Sequence, residues 1–97
     1  MKTMKIVIRE PIWFSDGDED CFFDWLKSIE AVKDFGGPRR LEVTLTDPVD
    51  DFSLRELLGL TSRYGLDMKW LRALRTPENE KWFANDQMYW HEKVFKD

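Results

Sequence analysis

Residues 34–46 read Asp34-Phe35-Gly36-Gly37-Pro38-Arg39-Arg40-Leu41-Glu42-Val43-Thr44-Leu45-Thr46, and the fold turns on how this stretch is parsed. Its second half alternates Leu41, Val43 and Leu45 against Glu42, Thr44 and Thr46, the period of a strand with one covered and one wetter face. Its first half carries two glycines and a proline. Behind a helical pattern, that cluster reads as a helix stop, because glycine tolerates a left-handed cap and proline cannot continue a helix. Strand 41–46 would then return from a helix by a right-handed crossover and lie parallel to the strand before it.

Upstream, Lys5 to Phe14 reads as a strand, with Ile6, Val7 and Ile8 apolar and Pro11 bending or ending its regular part. From Glu19 to about Lys33, the residues Phe22, Trp25, Leu26, Ile29 and Val32 fall at helical spacings. Downstream, Ser53-Leu54-Arg55-Glu56 fits a capping box, and Leu54, Leu57, Leu58, Thr61 and Tyr64 form the stripe of a helix that Gly65 ends. Met68 to Arg75 suits a third strand, although Lys69 to Leu74 would also suit a helix. Thr76-Pro77 starts a last helix, on which Trp82, Phe83, Tyr89, Trp90 and Val94 share a face. A short helix followed by a strand over Met88 to Phe95 is the alternative. The expected order is β-α-β-α-β-α: an α/β domain with a small, largely parallel three- or four-stranded sheet and packed helices.

The 97 residues bound this to one domain, residues 1–97, and a hydrophobic content of 42% makes it a folded globule despite 35% charged residues. A net charge of −4 argues against a general nucleic-acid binder, which needs clustered Lys and Arg. Cys21 is the single cysteine, so no internal disulfide can form. Met1 to Ile8 offers too short an apolar stretch for a signal peptide, and no run approaches the ~20 residues of a membrane span. The expected location is the cytoplasm, with no membrane contact.

Charge is unevenly placed. Asp16, Asp18, Glu19 and Asp20 follow the first strand, and Asp47, Asp50 and Asp51 follow the second. In a parallel sheet both runs lie on one edge, with Lys33, Arg39, Arg40, Arg63 and Lys69 at the other. Carboxylates at a helix start are favoured by roughly 0.3–1 kcal/mol each through the macrodipole, a need that one or two acids satisfy. Trp13 and Phe14 immediately precede the first run and Phe52 follows the second. Rings beside carboxylates suit a protein interface, the rings as anchors and the acids as steering and pairing groups for Lys or Arg.

Catalytic equipment is sparse. Asp16, Asp18 and Asp20 have the alternate spacing of a calcium loop, but the sixth position is Cys21 and the twelfth is Lys27, where the motif requires glycine and a bidentate acid. His91 is the only histidine, which removes any multi-histidine metal site, and carboxylates around Cys21 disfavour a nucleophilic thiolate. No phosphate loop, dinucleotide fingerprint or nucleophile elbow occurs. The expectation is a non-enzyme with no catalytic residue, no metal and no cofactor.

The runs Asp16-Gly17-Asp18-Glu19-Asp20 and Asp47-Pro48-Val49-Asp50-Asp51, with Trp13, Phe14 and Phe52 beside them, give the chain a character that resembles bacterial immunity proteins, including those of contact-dependent inhibition systems. That resemblance implies a cognate basic toxin as partner, of nuclease type, whose active site or substrate surface would be covered by carboxylates standing in for phosphates. Two other readings use the same features. One is a metal-dependent or phosphotransfer regulatory domain with strand-end carboxylates, as in response-regulator receiver domains. The other is a structural subunit whose exposed rings form a homodimer seam.

Overall fold

A computed structural model describes residues 2–37 and 40–96. Strand β1 (Thr3–Arg9) is followed by helix α1 (Asp16–Ser28), strands β2 (Val32–Gly36) and β3 (Arg40–Thr46), and helix α2 (Asp51–Arg63). A 3-10 helix (Lys69–Leu74) and two short helices, α3 (Glu80–Phe83) and α4 (His91–Phe95), complete the described chain. The sheet order is β1-β3-β2, and β3 runs antiparallel to both neighbours. The expected largely parallel sheet is therefore wrong, as is the strict alternation of strands and helices.

The cause lies in residues 29–40. The first helix stops at Ser28, and Ile29 caps it in extended conformation with its N–H donating to the Leu26 carbonyl. Val32 and Phe35, three apart, satisfy a helical stripe, but both instead turn toward the helices from β2, whose alternation is reset by a bulge between Val32 and Asp34. Gly36-Gly37 then serves a hairpin rather than a helix end. Gly37 sits at φ 133°, a backbone region closed to L side chains, where a Cβ would collide with the Arg40 carbonyl. Pro38 and Arg39 lie outside the described residues.

The alternation read in 41–46 holds, with Leu41, Val43 and Leu45 buried opposite Ile8, Ile6 and Met4 of β1. Thr3, Lys5, Val7 and Arg9 of β1, and Arg40 and Glu42 of β3, are exposed on the other face. The described helices therefore cover one side of the sheet, and the second side meets solvent.

Helix α2 is the centre of the helical layer. Ser53, Leu54, Leu57, Leu58, Leu60 and Thr61 are all buried, more than one stripe, because α2 is covered from two directions. On one side α1 approaches, where the Trp25 indole N–H donates to Glu56 at 3.2 Å and Phe22 meets Tyr64 edge-on. On the other lies the C-terminal segment, where the Arg55 guanidinium stands 4.0 Å over the Trp82 ring. Asp50, not Ser53, caps α2: its carboxylate accepts the Ser53 N–H at 3.1 Å. Ser53 Oγ accepts the Ala31 N–H instead, joining the α1–β2 connection to the first turn of α2.

The segment expected as a third strand is the 3-10 helix. Met68, Leu71 and Leu74 are buried at a spacing of three, the period of that helix, and Asp67 Oδ1 accepts the Lys69 N–H at its start. Thr76 does cap a turn, its hydroxyl accepting the Asn79 N–H, while Asn79 Oδ1 accepts from Thr76 N–H and its amide donates to Leu74 O. The single last helix does not form. Asn85 Oδ1 accepts the Gln87 N–H, a local turn that competes with helix continuation. Residues 91–95 are helical, not a strand, and the Trp90 indole N–H donates to Phe83 O at 2.8 Å, folding α4 back on α3.

Candidate functional site

The Arg9–Arg40 and Thr3–Thr46 pairs mark the two ends of the β1–β3 ladder, and the acidic runs lie at different ends. Asp16, Asp18, Glu19 and Asp20 open α1, which follows β1 beyond Arg9. Asp47 hydrogen-bonds through its N–H to Lys2 O, just ahead of β1, with Asp50 and Asp51 opening α2. Seven residues of strand separate the ends by about 20 Å at roughly 3.3 Å per residue. The expected shared acidic edge is thus contradicted. So is the expected sorting of cations to the far edge, since Arg63 lies beside Asp18 and Arg40 pairs with Arg9.

At the α1 end, local chemistry builds a groove. Ser15 Oγ accepts the Asp18 N–H at 3.1 Å, and Asp18 Oδ2 reaches back to accept the Phe14 N–H at 3.1 Å, a reciprocal cap in which the acid secures the incoming chain. Asp18 is therefore a structural acid as well as a charged one. With the backbone of residue 14 held, successive side chains of the segment turn opposite ways. Trp13 goes inward, its ring 5.2 Å from Phe22, 5.7 Å from Phe23 and 6.4 Å from Tyr64. Ile12 and Phe14 go outward and are 83% and 90% exposed.

These two side chains, with Ser15, Gly17, Asp18, Cys21, Arg63 and Tyr64, line an open groove of about 570 Å³. Asp16, Glu19 and Asp20 are exposed on the same helix start. The Tyr64 phenol is held above its ordinary value of 10.0 by burial first, then by the negative field of Asp18 and Cys21, with Arg63 opposing. His91 lines a separate depression with Asp86 and Phe95, so no histidine borders this groove. Among the described residues no group of three or more His, Cys, Asp and Glu side chains is placed to hold a metal ion.

Of the residues singled out from sequence, Phe14, Asp16, Asp18, Glu19 and Asp20 are brought together here. Trp13 is not an exposed anchor but part of the aromatic cluster. Asp47, Asp50, Asp51 and Phe52 form a separate surface. Phe52 is 71% exposed there, while Asp50 is occupied as the α2 cap. Partial burial raises the Asp50 carboxyl, but hydrogen bonds from the Ser53 side chain and N–H outweigh it and hold the group below its ordinary 3.8. Sequence reasoning missed Ile12, Arg63 and Tyr64. An apolar Ile12 just past the strand-ending Pro11 was the one available signal, whereas Arg63 and Tyr64 arrive only because α2 runs antiparallel to α1.

No family model, curated protein or solved structure matches the chain. Among the described residues no helix is long and apolar enough to cross a membrane.

Proposed function

We propose that this chain is a non-catalytic binding protein that captures a basic protein through the segment Ile12 to Asp20, neutralising a nuclease-type toxin as immunity proteins do. The observation that carries the reading is the near-complete exposure of Ile12 and Phe14 on a capped, hydrogen-bonded segment. A folding role would turn those side chains inward, as it does Trp13. An apolar pair held out on a fixed backbone loses little conformational entropy on binding, and Asp16, Glu19 and Asp20 beside it supply steering toward Lys and Arg. The interface needs only the α1 end. A metal pocket shared by both acidic runs has lost its geometry, because the runs lie at opposite ends of the sheet.

The test uses the product of the adjacent reading frame, purified and assayed for nuclease activity with and without this chain. Inhibition is expected. Asp16→Asn, Glu19→Gln and Asp20→Asn together, with the capping Asp18 kept, should slow association and flatten its salt dependence. Phe14→Ser should speed dissociation instead, with a loss of about 2 kcal/mol, or roughly 30-fold, for a central anchor. Both variants should fold as the wild type. An uninhibited nuclease, or a complex indifferent to both sets of substitutions, refutes the assignment.

A further inference from the structure

A second cleft lies at the Arg9–Arg40 end of the sheet, beside the start of the 3-10 helix. Arg9 and Arg40 are directly opposite one another in the β1–β3 ladder, on the solvent face of the sheet. Their Cβ atoms stand about 4.5–5.5 Å apart by the geometry of such a pair, a placement of like charges that works against the sheet. A carboxylate at either position would have stabilised it. Among the described residues neither guanidinium makes an ion pair.

The two arginines border a cleft of about 480 Å³ with Val7, Ile8, Asp67 and Trp70. That volume falls in the range of small-ligand sites. Among the described lining residues the one carboxylate, Asp67, already accepts the Lys69 N–H through Oδ1 at 3.0 Å, and the two arginines outnumber it. Trp70 contributes an aromatic wall and a second anomaly: its indole N–H is buried with no hydrogen-bond partner. The Trp82 indole N–H, away from this cleft, is in the same condition, so it is the ring of Trp70 rather than its N–H that marks the cleft.

We propose that this cleft binds a small phosphorylated molecule, its phosphate held between Arg9 and Arg40 and its ring system against Trp70. Two planar guanidinium forks bordering one cleft suit a phosphate, and an indole provides a stacking or edge surface for a base. The site is independent of the Ile12–Asp20 groove.

The experiment is a titration of the 15N-labelled protein with adenosine 5′-monophosphate, inorganic phosphate and adenosine, following the Trp70 indole N–H and the arginine Nε–H resonances. Adenosine 5′-monophosphate should shift all three with Kd of about 1 mM or tighter, and bind more tightly than either fragment. Arg9→Gln and Arg40→Gln should each weaken it about tenfold or more, as loss of a charge-assisted hydrogen bond requires. Arg63→Gln, in the other groove, should leave it unchanged. Thermal melting checks that each variant folds. Absence of shifts at about 10 mM nucleotide, or unchanged affinity in Arg40→Gln, overturns the proposal. Equal affinity for phosphate and nucleotide also overturns it, because the ring contact would then contribute nothing.

Discussion

Ser53→Ala should destabilise the protein far more than the loss of one surface hydroxyl. Ser53 is fully buried, and its Oγ is the acceptor for the Ala31 N–H at 3.1 Å, with Ala31 itself buried. Alanine leaves that N–H without a partner and away from water, which costs about 1–3 kcal/mol. No cavity larger than an oxygen opens, and alanine's better helix propensity returns up to about 0.5 kcal/mol. The net loss is then about 0.5–3 kcal/mol, or roughly 2–24 °C in Tm for a domain of this size. Urea unfolding followed by circular dichroism should show a lower midpoint with an unchanged slope, and the Ala31 amide should exchange faster than its neighbours. Ser28→Ala is the control, since its exposed hydroxyl only donates to Trp25 O, and it should stay within about 0.5 kcal/mol. An unchanged midpoint with full protection of the Ala31 amide would show that the α1–β2 connection is not held by α2.

Two further outcomes follow from backbone and charge. Gly37→Ala should cost more than about 1 kcal/mol in urea unfolding, because its φ of 133° and the Arg40 carbonyl leave no room for a Cβ, whereas Gly36→Ala meets no atom within 4 Å. Asp50→Asn should preserve the cap at pH 7 within about 0.5 kcal/mol but change the acid limb. The folded Asp50 carboxyl lies below its ordinary 3.8, so its contribution is present above that value and lost as pH falls through the lower folded one. Stability curves of wild type and variant should run together near pH 7 and separate in that acid window, where only the wild type loses the contribution, and curves that stay parallel would refute the cap.

Short-range pattern was legible. Ile6, Ile8, Leu41, Val43 and Leu45 alternate because a strand must bury one face, and Phe22, Leu26, Leu54, Leu57 and Leu58 recur because a helix must bury one stripe. Such periods are properties of neighbouring residues and need no knowledge of the rest of the chain. The helix start was read less closely: the apolar spacing placed it at Glu19, whereas Ser15 caps a helix that begins at Asp16. The excess of acids there was visible without any structure.

Strand direction was another matter. Val32, Phe35 and the Gly36-Gly37 pair satisfy a helix end and a hairpin equally well, because glycine serves both and residues three apart fit both a helix face and a bulged strand. What separates the two is whether β2 finds hydrogen-bond partners on β3 across the hairpin, a pairing between two segments that the period of either one does not encode. That one choice reversed β3, sent the two acidic runs to opposite ends, and brought Arg63 and Tyr64 beside Ile12 and Phe14. The composition of the functional surface was written in the chain, but its membership depended on pairing, since which side chains become neighbours is set by contacts among elements rather than within them.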